Sequence, residues 1–277
     1  MQQTLRYLLS LLVLFPSFGI ADSANPKSLV PVVFAHGIFM NGDTIEKWKE
    51  LKDYFARRGY KLMGATTYLS GTYENRAAKL NAEIERLVPE GPFHIIGHSG
   101  GGLDARLGIQ RYGWGDRLLS LTTISSPHRG SAVADYAVYL VDKYTHDNPV
   151  TDFFFWVFRR EIEIVRVMNT KNMVEFNATV TDDPRVKYFS LGGYAKPPLP
   201  TNVLIPLLWW GHKINTDHGF PENDGLVAPS SARWGTYLGT FESDHASIFL
   251  KVKYQGKMIY QKTYDTILDN LDVNFSK

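Results

Sequence analysis

The sequence predicts an α/β fold, a mostly parallel sheet with helices packed on both faces. Three observations carry that expectation. Strand-like and helix-like segments alternate from Leu29 onward. The strand candidates are continuous apolar runs rather than alternating ones, as expected of strands buried on both faces. Helical patterns of about 10–15 residues separate them, the length of a crossover between parallel strands.

The first run is Leu29-Val-Pro-Val-Val-Phe-Ala35. Asp43 is then placed to cap a helix in which Ile45, Trp48, Leu51 and Phe55 recur at helical spacing, with Gly59 at its end. Residues 60–66 form the second strand candidate. Ala77, Leu80, Ile84 and Leu87 line one face of the next helix, which Pro89 and Gly91 stop. Residues 93–96 and 118–124 supply two more strands, residues 186–191 another, and residues 264–271 a closing helix. The pattern breaks over about 131–171. There Tyr136, Tyr139 and Leu140 precede Pro149, and the run Phe153-Phe-Phe-Trp-Val-Phe158 follows, flanked by Arg159 and Arg160. One helix face cannot hide that much aromatic surface, so the chain reads as one domain over 22–277 with an inserted apolar cap.

Composition excludes several classes. With 277 residues, 44% hydrophobic and 21% charged, the chain can enclose a core and is neither disordered nor fibrous. Thirty basic against 28 acidic side chains leave a net charge of +2, which argues against electrostatic binding of nucleic acid. The absence of cysteine removes disulfides, thiolate zinc sites and cysteine nucleophiles. At the amino terminus, Arg6 precedes an apolar run over 7–15, then Pro16 and Gly19-Ile20-Ala21. This is the layout of a signal peptide cleaved after Ala21, so export to the periplasm or medium is expected, followed by a soluble monomer.

Gly97-His98-Ser99-Gly100-Gly101 fits G-x-S-x-G between an apolar strand and a helical stretch containing Leu103, Ala105, Leu107 and Ile109. Such a strand–turn–helix lifts a serine hydroxyl clear of the sheet. Serine attacks only when a base takes its proton and a carboxylate orients that base. In this arrangement the chain order is serine, acid, histidine. Asp224 sits in the turn Glu222-Asn-Asp-Gly225, and His245 is the one histidine that follows it. Asp244, Asp217 and Asp182 are fallback acids. The backbone amides of Ile38, after the first strand, and Gly100, after the serine, are the candidate oxyanion donors. His36 and His98 are expected to support these turns, and His94 to be a core histidine.

The chain resembles the secreted bacterial true lipases, the Pseudomonas and Burkholderia triacylglycerol lipase type of the α/β-hydrolase fold. The resemblance runs through Pro31-Val-Val-Phe-Ala-His-Gly37, Gly97-His-Ser-Gly-Gly101, Ser126-Pro-His-Arg-Gly-Ser131, Phe176-Asn-Ala178, Val186-Lys-Tyr-Phe-Ser190 and Asn223-Asp-Gly-Leu-Val227. It implies Ser99 as nucleophile, Asp224 as acid, His245 as base, Ile38 and Gly100 as oxyanion amides, and a lid over the aromatic region. Some members of that family depend on a foldase, which leaves such a partner open here. The family also implies a structural calcium, held by an aspartate two residues and a glutamine six residues after the histidine. Here those positions are Ser247 and Lys251, so no metal or other cofactor is expected. The Lys251 ammonium is expected to replace the ion by pairing with Asp217.

The resulting expectation is a lipase or carboxylesterase that works at a lipid–water interface on long-chain acyl esters. Phe39, Phe154, Trp156, Leu208 and Trp209 are candidate substrate contacts. A phospholipase or lipid acyltransferase would use the same triad, and an inactive lipid- or partner-binding relative would carry a damaged one.

Overall fold

In a computed structural model, residues 29–38, 40–68, 71–143, 162–196 and 205–275 are described. Six strands form one sheet: β1 (Val30–Ala35), β2 (Tyr60–Ala65), β3 (Phe93–His98), β4 (Leu118–Ile124), β5 (Lys187–Tyr194) and β6 (Thr236–Glu242). Their order is β2-β1-β3-β4-β5-β6 and every pairing is parallel. The fold is the α/β-hydrolase type of mostly parallel sheet flanked by helices. The strand after residue 235 and a small antiparallel hairpin, β7 (Lys253–Tyr254) with β8 (Lys257–Met258), add to the elements anticipated.

The continuous apolar character of β1 has a direct cause. Side chains alternate across a strand, so Val32 and Phe34 enter the core on one face while Val33 and Ala35 enter the core on the other. The first face is covered by α1 (Asp43–Glu46), α2 (Lys49–Arg57) and the carboxy-terminal α10 (Ile259–Phe275), through Ile45, Leu51, Phe55, Ile267 and Leu268. The second is covered by α3 (Tyr73–Leu87) and α4 (Gly100–Tyr112), through Leu80, Ile84, Ala105 and Ile109. Beyond β4 lie α5 (Ala132–Lys143), α6 (Ile162–Val167) and α7 (Thr170–Thr179). Between β5 and β6 come α8 (Ile205–Asp217) and the short α9 (Pro229–Ala232). No helix among the described residues is long and apolar enough to cross a membrane.

Two expectations are corrected. Asp43 does not cap a helix; its carboxylate pairs with Lys47 at 3.1 Å, and Gly42 stands at the helix start. The single helix expected through Phe55 is broken at Trp48, whose backbone turns (φ −90°, ψ 75°) so that its ring packs edge-on against Tyr260 of α10. The signal segment, Phe39 and the aromatic run 153–158 lie outside the described residues.

One ion pair ties α3 to α4. Arg76 Nη2 lies 2.6 Å and Nε 3.0 Å from Asp104 Oδ2, and both side chains are fully buried. The same guanidinium donates to the backbone carbonyl of His36 at 3.3 Å and to that of Tyr68. Removing one partner strands a buried charge. Asp104→Ala should therefore lose about 3–5 kcal/mol of stability, read as a lower urea midpoint at unchanged slope. A loss below about 1 kcal/mol, the size of a surface pair, would show that the pair is solvated.

Candidate active site

The first part of the site is built by the exit of β3. Ser99 has φ 54° and ψ −128°, a conformation that non-glycine residues rarely adopt and that costs about 1–3 kcal/mol. Its N–H is held by the Ile124 carbonyl at 2.9 Å. The turn is so tight that glycine is required on either side. A Cβ on Gly97 would stand 2.6 Å from the Gly102 Cα, and one on Gly101 would stand 2.2 Å from the Ala35 carbonyl oxygen. These are the two glycines of the sequence pattern, and close backbone approach is the reason for both.

Asp224 is fully buried after β5. Its Oδ1 accepts the N–H groups of Leu226 at 3.0 Å and Val227 at 2.7 Å, which folds the Asn-Asp-Gly turn around it. Its Oδ2 is 2.8 Å from His245 Nδ1, and its backbone carbonyl accepts the His245 N–H at 2.8 Å. The acid therefore holds both the ring and the backbone of the histidine. With Nδ1 engaged, Nε2 is the nitrogen left for a proton transfer. Ser99 and His245 line the same cavity, and no hydrogen bond joins the serine hydroxyl to the ring in this arrangement. Acid–base pairing is thus formed and base–nucleophile pairing is not.

Ile38 and Gly100 are neighbours across the two turns, since a Cβ on Gly100 would lie 3.9 Å from the Ile38 Cγ2. Behind them His36 spans the loop. Its Nδ1 is 2.7 Å from the Gly37 carbonyl, and its Nε2 accepts the Thr67 N–H at 3.0 Å. His98 Nε2 lies 3.0 Å from the His245 carbonyl, so it too braces a turn, while His94 is buried against Ser120 Oγ at 2.7 Å.

The fallback acids are otherwise engaged. Asp244 Oδ1 accepts the N–H groups of Ala246 and Ser247, Asp217 pairs with Lys213 at 2.5 Å, and Asp182 accepts from Trp234 Nε1. The pairing expected between Lys251 and Asp217 is corrected, since Asp217 is held by Lys213 and Lys251 faces Glu50 at 3.9 Å. Ser247 Oγ is hydrogen-bonded to Ser243. A hydroxyl so engaged and an ammonium do not fit a calcium ligand set.

The cavity at the serine has a volume of about 220 Å³. Apart from Ser99, His98, His245 and Ser131 its lining is apolar. Leu208 is where the sequence placed it, fully buried and in the cavity wall. Trp209 is corrected. It is 53% exposed and absent from the wall, because one step along α8 turns a side chain through about 100°. Phe154 and Trp156 lie outside the described residues, as does Phe39. Sequence reasoning missed Ala134 and Ala137 of α5, Val165 of α6 with Met168 just after it, and Phe249 and Leu250 after the histidine. The signal for the first pair was their separation of three residues on one helix face.

Burial pushes the His36 imidazole down to about 4, with Arg76 adding to the effect, and pushes His94 down to about 4 by itself. The unfolded chain then binds more protons than the folded one between about pH 6.5 and 4. Stability from these groups is complete above that window and lost as pH falls through it. Urea midpoints should decline across the window, and the decline should be smaller in His94→Gln. Equal declines would mean that His94 titrates normally.

No family model matches the sequence. The chain is 31% identical over 219 residues, 74% of its length, to triacylglycerol lipase 2 of Saccharomyces cerevisiae, and spans 62% of that relative. Among solved structures it is similar to the mature Bacillus licheniformis lipase BlEst2, with 20% identity and a TM-score of 0.66 over 88% of this chain and 92% of that one. It is also similar to the Staphylococcus hyicus lipase, with 18% identity and a TM-score of 0.59 over 90% of this chain and 96% of that one.

Proposed function

We propose that this protein is an exported carboxylic-ester hydrolase that cleaves neutral acyl esters of the triacylglycerol type through an acyl-enzyme. The observation that carries the reading is one constellation. A strained serine at a strand–helix turn opens into an apolar cavity shared with a histidine whose Nδ1 is held 2.8 Å from a buried aspartate. The likeness to a yeast triacylglycerol lipase supports the reaction class.

In this mechanism His245 Nε2 takes the Ser99 proton as Oγ attacks the ester carbonyl. Asp224 fixes the tautomer and stabilises the imidazolium. The Ile38 and Gly100 amides receive the oxyanion, and each such donor contributes about 3–4 kcal/mol to the transition state. The same imidazole protonates the departing alcohol and then activates water. Proton transfer requires the Ser99 hydroxyl and His245 Nε2 to stand within hydrogen-bond reach in the substrate complex.

Substrate class follows from the walls. Among the described residues no lysine or arginine lines the cavity, which favours a neutral ester over a phospholipid. Each buried methylene is worth about 0.8 kcal/mol, so longer acyl chains gain until the cavity is full. Helices α5 and α6 would act as the lid. No metal takes part.

The test uses p-nitrophenyl esters of increasing length and emulsified triglyceride, with and without chelator. Turnover should rise with chain length and be higher on the emulsion. Chelator should leave it unchanged. Ser99→Ala should reduce it by about 10⁴-fold or more. Undiminished turnover in Ser99→Ala would sink the mechanism, and faster cleavage of phospholipid than of triglyceride would sink the substrate class.

A further inference from the structure

His98 precedes the serine, lies at the end of β3 and is fully enclosed. Its Nε2 is 3.0 Å from the His245 carbonyl across 147 residues of chain. A carbonyl only accepts, so Nε2 carries the proton and Nδ1 is left bare. That Nδ1 is buried with no hydrogen-bond partner, which shows that the ring is oriented for one bond at the expense of the other. The ring also stacks on Phe249, with centroids 3.8 Å apart, and its centroid is 4.7 Å from that of His245.

His245 thus has three anchors, and they are not equivalent. Two come from Asp224, to the backbone N–H and to Nδ1, each at 2.8 Å. They fix base to acid and would survive if the two moved together. The third, from His98 to the carbonyl, is a side-chain tie from the base to the residue next to the nucleophile. Ser99 and His245 line one cavity with no hydrogen bond between their side chains, and this tie runs from the residue beside the serine to the backbone of the base.

We infer that His98 is a positioning residue, whose Nε2–H holds the His245 carbonyl and through it keeps the base in register with Ser99. The inference rests on the hydrolase reading above. Burial and the neighbouring His245 push the His98 imidazole well below its ordinary range, which keeps it neutral and its single N–H directed at the carbonyl. Plain core packing is the competing account, and it predicts that ring shape matters and the N–H does not.

The two accounts separate with His98→Phe and His98→Gln in the full chain. Phenylalanine keeps the stacking on Phe249 and loses the donor; glutamine keeps a donor and loses the ring. Steady-state hydrolysis of a soluble p-nitrophenyl ester is measured beside thermal unfolding, and rates are referred to folded protein. Small displacements of reacting groups cost up to about 100-fold. His98→Phe should lower kcat about 10- to 100-fold with KM within about twofold, and His98→Gln should recover most of the loss. The inference is overturned if kcat in His98→Phe stays within about twofold of the parent, if glutamine is as impaired as phenylalanine, or if the loss follows the folded fraction alone. A parent that hydrolyses no ester would remove the functional reading and this inference together, whereas an active parent with an active His98→Phe would remove this inference alone.

Discussion

Everything at the site depends on how closely α4 can approach the sheet at the end of β3. The helix starts immediately after Ser99, and its first turn lies against the backbone of β1 at Ala35 and His36. Only glycine at 97 and 101 permits that distance. The strain at Ser99 is maintained by the same packing, because the turn has no room to relax toward negative φ. The two parallel neighbours of β3 then do the rest. β4 holds the serine N–H through Ile124, while the loop after β1 brings Ile38 beside Gly100. Nucleophile and candidate oxyanion donors are thus one backbone object, and Arg76, buried against Asp104 and bonded to the His36 carbonyl, fastens it from behind.

Acid and base form a second object, built on the other side of the sheet centre. Asp224 folds its own turn with two backbone amides and takes the His245 N–H and ring with its remaining acceptors. This unit is fastened to the end of β5, where the Ser243 N–H meets the Tyr194 carbonyl and the Ala195 N–H meets the Asn223 carbonyl, each at 2.8 Å. A single side chain, His98, bridges it to the first object by hydrogen bond. Beneath that bridge the two groups share one sheet, since β3 pairs with β4, β4 with β5 and β5 with β6.

The legibility of these features in the sequence follows the range of the forces behind them. Continuous apolar strands, helix stripes at Leu80 and Ile84, and the glycines around Ser99 are local consequences of burial and backbone sterics, so they could be read directly. The pairing of Asp224 with His245 was legible because chain order leaves few candidates. Trp209 was misplaced because hydrophobicity says that a residue is apolar and not which way its helix is rolled. Lys251 was misassigned for a related reason, since its neighbour Glu50 comes from α2, about 200 residues away in sequence. Ala134 and Ala137 were passed over because small residues advertise no chemistry, although a cavity wall needs them.

The walls suggest how substrate shape and catalytic geometry are kept apart. The candidate catalytic residues hang on strand ends and tight turns, where movement is expensive. Those that shape the cavity come largely from α5, α6 and α8, and α5 is held to α6 and α7 by bonds at or near the surface. Asp135 receives the N–H and hydroxyl of Thr170, Asp142 pairs with Arg166 at 2.6 Å, and Ser131 N–H meets the Met168 carbonyl at 3.0 Å. Exposed ion pairs of this kind are worth about 0.2–1 kcal/mol, far less than the buried Arg76–Asp104 pair would cost to break. If the helices shift to admit a chain, these outer contacts yield first. Met168 lies against Gly100, with its sulfur 4.0 Å from where a Cβ there would stand, so a shift of α6 is felt at the candidate oxyanion turn itself. Van der Waals contact thus links the residue that follows α6 to the candidate oxyanion turn.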